Sequence, residues 1–329
     1  MKFVTAVLAV VVGLGASVAL TQSSPPAETG MVWMCPMHPD YTATADGRCP
    51  RCGMALVRGN PFDVRDYGLD FQTDPAAVRA GERARLRFAV FRPGSSELIR
   101  RFEVVHEKPY HLFVVGQDME HFEHVHPQQQ RDGTWSIEVR LPRAGYYKVL
   151  SDFVPGGGAA QLIARPLVTA GYGGDIIGDS ARLVSDSVLT KTVDDVTATL
   201  SFDPPTFVAG LYGHLNYRLT EAVTGRPIAD LQPYLGAFGH TLVLSEDGLS
   251  YVHAHPLNIR DTPDDGGLPV FLIPPDADLE ALRGGPDVTF DGLIPKPGRY
   301  KAWTQFRRND RIYTFAFAFE AVAAAAGAQ

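Results

Sequence analysis

Apolar residues in this chain fall into two kinds of run. Near the N-terminus, Lys2 precedes a long apolar stretch over residues 3–20, and the polar, proline-containing segment 21–26 ends it. A positive charge, an apolar centre and then small residues (Ser17 and Ala19) make the pattern of a secretory leader. Left uncleaved, the same stretch is about long enough to cross a bilayer as an anchor. Beyond it the apolar runs are short, alternate with polar residues and are separated by turn formers, which is the signature of strands. Strands are expected over 84–91, 111–115, 135–141, 146–153 and 161–168, and again over 196–202, 213–219, 240–244, 288–293, 300–306 and 313–319.

The two groups of strands are copies of one another. At an offset of 129 residues Asp74-Pro75 aligns with Asp203-Pro204, His111 with His240, Asp118 with Asp247, and His124-Val125-His126-Pro127 with His253-Ala254-His255-Pro256. The second copy then carries an insertion over about 257–286, rich in Asp, Pro and Gly and read as a surface loop, before Tyr147-Lys148 realigns with Tyr300-Lys301. A Gly-x-Tyr at the start of a late strand suggests a tyrosine corner, in which the ring is buried and the hydroxyl meets nearby backbone, so Tyr147 and Tyr300 are read as structural. The fold class is therefore mainly β: a small metal-binding module followed by tandem immunoglobulin-like or cupredoxin-like sandwiches. The expected organisation is a leader or anchor at 1–24, a module at 31–58, a first sandwich at 61–170, a linker at 171–193, a second sandwich at 194–320 and a low-complexity tail at 321–329.

Composition agrees and removes some functions. Glycine (32) and proline (25) are spread between the short runs, which argues for many turns and few long helices. A formal charge of −7 without a dense basic cluster argues against nucleic acid, whose binding requires phosphate neutralisation. There is no nucleophile elbow, phosphate-cradling loop or dinucleotide fingerprint, so no enzyme is expected. A metalloenzyme with an open three-histidine site is the weaker alternative.

The three cysteines change the picture most. Cys35, Cys49 and Cys52 all lie in one short segment, and an odd number in an exported chain leaves a thiol over unless a metal or another chain holds it. A Cys-x-x-Cys knuckle can close on one ion, and Cys35 with His38 would complete a tetrahedral set. Four of the six methionines (Met31, Met34, Met37, Met54) fall in the same segment, and thioether sulfur favours Cu(I). Cys35-Pro36-Met37-His38-Pro39 followed by Cys49-Pro50-Arg51-Cys52-Gly53-Met54 resembles the heavy-metal-binding domain family over residues 33–57, with Trp33 where that family usually has tyrosine. Such modules accompany copper and silver efflux adaptors and copper-transporting P-type ATPases, so the resemblance implies metal capture or transfer. By position it implies Cys35, His38, Cys49 and Cys52 as ligands, with Met37 and Met54 as soft accessories. A structural zinc ribbon, or a Cys49–Cys52 disulfide, is the competing reading.

Each repeat adds a candidate site. Residues two apart on a strand share a face, so His124 with His126, and His253 with His255, can point together. His111 and His240, on neighbouring strands, would complete one three-histidine site per repeat, suited to zinc, copper or nickel. The alternative is that these histidines close a turn by hydrogen bonds. Met119, His121 and Glu123 are extra candidates in the first copy, whereas His106 and His214 have no counterpart and are read as ordinary residues. The chain is thus expected to be an exported, periplasmic or otherwise extracytoplasmic protein that binds copper, with zinc as the alternative. Its expected partners are a copper efflux system or another exported metalloprotein. Membrane contact is expected only through an uncleaved N-terminal segment.

Overall fold

The computed structural model describes residues 31–63, 66–176, 178, 180–257, 273 and 277–324. The leader at 1–24, most of the insertion and the end of the tail lie outside the described residues. Three strands make the N-terminal module: β1 (Val32–Met34) runs between β2 (Thr42–Ala43) and β3 (Val57–Gly59).

The first repeat contributes β4 (Gly68–Asp74), β5 (Arg83–Phe91), β6 (Phe102–Glu103), β7 (His111–Gly116), β8 (Phe122–Val125), β9 (Gln128–Gln129), β10 (Trp135–Arg140), β11 (Tyr146–Pro155) and β12 (Gln161–Val168). They form two antiparallel sheets, ordered β4-β5-β10-β9 and β12-β11-β7-β8. The second repeat contributes β13 (Thr190–Val193), β14 (Val196–Asp203), β15 (Phe207–Val208), β16 (Tyr212–Glu221), β17 (His240–Ser245), β18 (Tyr251–Ala254), β19 (Asp287–Leu293), β20 (Gly298–Arg308) and β21 (Arg311–Val322). Its sheets are ordered β13-β14-β16-β19 and β15-β21-β20-β17-β18. Every strand expected from the alternation is present to within a few residues, and the described residues contain no helix. Two boundaries move. Residues 190–193, assigned to the linker, pair with β14 and belong to the second sandwich, and Ala321 and Val322, assigned to the tail, are the last residues of β21.

Each sandwich closes on a core that the strand period dictates. In β5 Ala84, Leu86, Phe88 and Val90 point inward while Arg83, Arg85 and Arg87 point out. They meet Leu112, Val114, Tyr147 and Val149 across the sandwich. The second core repeats the plan with Leu215, Tyr217, Val243, Phe290, Tyr300 and Phe317. Both tyrosine corners are formed: Tyr147 Oη donates to the Arg143 carbonyl at 2.8 Å and Tyr300 Oη to the Lys296 carbonyl at 2.7 Å. The aspartates of the β7–β8 and β17–β18 turns act alike, Asp118 accepting from the Glu120 amide at 3.0 Å and Asp247 from the Leu249 amide at 2.9 Å.

The arrangement of the two sandwiches follows from β7 and β17, which are buried at every position. A strand buried on both faces needs cover on both. Leu112 and Val114 face their own core, whereas Phe113 and Val115 join Leu242, Leu244, Leu150 and Trp303 in a separate core between the repeats. Phe122 of the first repeat stacks on Trp303 of the second, centroids 5.1 Å apart and planes 4° from parallel. Equivalent lysines clamp the turn end of this interface reciprocally. Lys148 donates to the carbonyls of Asp247 and Gly248, and Lys301 donates to the carbonyl of Met119. The repeats thus meet face to face about an approximate dyad, with the open ends of both hairpins on the same side.

Trp303 is 3% exposed, and its neighbours come from both repeats. Trp303→Ala is expected to lower unfolding free energy by about 3–5 kcal/mol. Urea denaturation checks this, and a loss below about 1 kcal/mol would mean that the repeats are not held through this face.

Candidate metal centre

The module is too small to hold an apolar core of its own, and at its centre stand its three cysteines and one histidine, all buried. The knuckle is shaped by backbone: the Gly53 amide donates to the Cys49 carbonyl and the Cys49 amide to the Met54 carbonyl, each at 2.8 Å. Gly53 takes φ +75°, a left-handed conformation that glycine adopts without penalty. This turn directs Cys49 and Cys52 at Cys35 and His38. Cys35 Sγ lies 3.6 Å from Cys52 Sγ, and His38 Nδ1 lies 3.8 Å from Cys35 Sγ and 3.7 Å from Cys49 Sγ. An ion about 2.3 Å from sulfur and about 2.0 Å from nitrogen would set tetrahedral edges of about 3.6–3.8 Å, so the four atoms already stand at ligand spacing.

His38 is oriented from outside the module. Its Nε2 faces the Asp291 carboxylate of β19 at 3.5 Å, leaving Nδ1 for the sulfurs. A carboxylate behind a ligand histidine fixes the tautomer and raises basicity. Burial opposes protonation of His38, but Asp291, Cys35 and Cys49 outweigh it and push its pKa up to about 11. Hydrogen bonds from Cys35 and Cys52 hold Cys49 well below the usual thiol range, and the same crowding pushes Cys52 up. A bound cation would displace the protons held by His38 and Cys52.

Module and repeats are packed together. Val105 and Val154 of the first repeat cover Met34 and Val57. A side chain at Gly59 would run into the Gly158 carbonyl, so glycine is required for that approach. Met37 is half-buried beside the cysteines, whereas Met54 aims its sulfur away from them, 3.3 Å from His106 Nε2. His106 is no ordinary surface residue: its ring stacks on His255 with centroids 3.3 Å apart. His214 lies 3.9 Å from the second Asp291 oxygen.

The repeat histidines gather at the open hairpin ends, but not as two independent sets. His111, His124 and His253 form one group and His240, His253 and His255 another, each with its ligand nitrogens within 4.8 Å of one another. The second is the set expected from sequence. In the first, His253 has crossed over from the other repeat, while His126 stands beside it, its centroid 4.9 Å from that of His111 and 4.8 Å from that of His124. Burial lowers His111 to about 4 and His126 to about 3, and holds His124, His240 and His255 well below the ordinary histidine value. Met119 and His121 occupy the opposite end of the hairpin, where His121 pairs with Glu123 at 3.4 Å and Met119 packs into the inter-repeat core. They add nothing to the first copy's histidine set.

Residues 63–167 and 191–323 match the model of a domain of unknown function, DUF8832. The chain belongs to the DUF8832 family. Ahead of the DUF8832 region, residues 32–58 match the heavy metal binding domain, so the segment resembling that family is one. No curated protein matches the chain. Among solved structures, the Escherichia coli adhesin FdeC is 14% identical over 78% of this chain and 64% of its own, with a TM-score of 0.23. The Yersinia pseudotuberculosis adhesin InvE is 10% identical over 76% of this chain and 58% of its own, with a TM-score of 0.19. A two-domain fibronectin type III segment of chicken tenascin is 9% identical over 78% of this chain and 99% of its own, with a TM-score of 0.21. The DUF8832 chain thus spans less than two thirds of either adhesin.

Asp291, Asp152, Gln305 and His106 are not singled out by the sequence. Asp152 and Gln305 carry a usable signal, since each is a polar residue in an apolar strand at equivalent positions of the repeats. Asp291 has none, because it faces outward from a regularly alternating strand. Asp291→Asn is expected to weaken metal binding at the module about 10–100-fold and, because the carboxylate also raises the His38 pKa, to lower the apo-protein's melting temperature at neutral pH. Titration against a chromogenic chelator, paired with calorimetry of the apo form, measures both, and equal affinities would remove Asp291 from the site.

Proposed function

We propose that this chain is an exported copper-handling protein, and not an enzyme, in which the N-terminal module captures Cu(I) for delivery or resistance. The observation that carries the reading is the buried Cys35, His38, Cys49 and Cys52 set, already at ligand spacing of 3.6–3.8 Å along its measured edges. Three thiolates with thioether sulfur nearby form a soft environment, which favours Cu(I) over harder ions. The leader-like N-terminus supports action outside the cytoplasm, with a copper efflux system or another exported metalloprotein as donor or recipient. A second reading, structural zinc, is favoured by the same geometry, because a closed four-ligand set without an open position is typical of sites that serve folding.

Competitive titration of the full chain under reducing conditions separates the two. Cu(I) is expected to displace Zn(II) from the module at equal free concentrations. A protein that holds Zn(II) against Cu(I) sinks the copper reading and leaves the ribbon.

A further inference from the structure

We infer that the junction of the two repeats is a second metal site, in which His111 and His124 of the first repeat and His253 of the second hold one borderline divalent ion such as Cu(II) or Zn(II). The inference is independent of which metal the cysteine module takes.

Hydrogen bonds settle which nitrogen each ring presents. His111 Nε2 donates to the Val105 carbonyl at 2.9 Å, so Nδ1 carries the free lone pair. His124 Nδ1 donates to Gln305 Oε1 at 3.1 Å, and the Gln305 amide nitrogen lies 3.2 Å from Thr314 Oγ1. His124 Nε2 is therefore also an acceptor. These two acceptor nitrogens face each other at 3.1 Å inside a buried pocket. Two lone pairs so placed repel unless a cation lies between them, and burial opposes supplying that charge as an imidazolium. Two nitrogens on one tetrahedral ion about 2.0–2.1 Å away would stand about 3.3 Å apart, close to what is seen.

His253 completes the set from the other side. Its Nδ1 donates to the Asp152 carboxylate of the first repeat, and its Nε2 is buried without a hydrogen-bond partner. Asp152 thus plays for His253 the part that Gln305 plays for His124, each reaching across the dyad, and its charge offsets that of an ion. The three ring centroids form a nearly equilateral triangle of 5.4, 5.5 and 5.8 Å. Three imidazole ligands without thiolate suit borderline divalent ions better than Cu(I). His253 also belongs to the group with His240 and His255, but its one free nitrogen can serve one ion at a time. A cavity of about 60 Å³, lined by Met37 and Met54 on the module side and by His111, His253 and His255 on the other, lies beside the site.

The test uses the full chain carrying Cys35→Ser, Cys49→Ser and Cys52→Ser, which removes the module's thiolates and leaves the junction intact. After equilibrium dialysis against Zn(II), this variant is expected to retain one equivalent, and His124→Gln with His253→Gln on the same background to lose it. Asp152→Asn, which keeps both ligand rings, is expected to bind about 10–100-fold more weakly. Cu(II) bound to the cysteine-free variant should show imidazole nitrogen hyperfine structure in its electron paramagnetic resonance spectrum, a readout that needs no histidine change. A cysteine-free protein that retains no ion, or one whose Cu(II) spectrum lacks nitrogen coupling, overturns the site.

Discussion

The strands His111–Gly116 and His240–Ser245 are apolar on both faces, and that one constraint organises the molecule. A sandwich covers only the inner face of each strand. The outer faces, with Phe113, Val115, Leu242 and Leu244, remain to be buried, and the two repeats meet that need by covering each other. Once these faces are opposed, everything attached to the strands is placed. Turn ends meet the reciprocal lysines, and the open ends bring the histidines of both copies together.

Two of the imidazoles buried at this interface are matched across it. His124 donates to Gln305 and His253 to Asp152, at positions equivalent in the two repeats but unlike in charge. An unmatched imidazole there would carry the penalty of a buried unsatisfied group. The module repeats the principle on a smaller scale, since Asp291 of the second repeat orients His38. Second partners supplied by a neighbouring domain orient His38, His124 and His253, which makes the nitrogen each ring leaves free a property of the assembled chain.

The module also does not stand apart from the histidines. Met54 turns its sulfur to His106, and His106 stacks on His255, so soft and borderline donors follow one another from the cysteine set to the repeat junction. The tight approach at Gly59 and the cover from Val105 and Val154 hold that alignment.

Much of this is legible in the amino-acid sequence. Alternation in 84–91 specifies a strand with arginines outside and Leu86 and Phe88 inside, and the offset of 129 residues shows two copies of one domain. The cysteine set is legible because its four residues lie within 18 positions and a local turn is enough to gather them. Period and spacing are local properties, and local sterics express them whatever the rest of the chain does. The tertiary structure alone decided that His253 joins His111 and His124, that Asp152 and Gln305 orient rings of the opposite repeat, that Asp291 serves His38 and that His106 stacks on His255. Those partners lie a hundred or more residues apart or on different domains, and no spacing encodes them. They meet because two apolar sheet faces had only each other to exclude water.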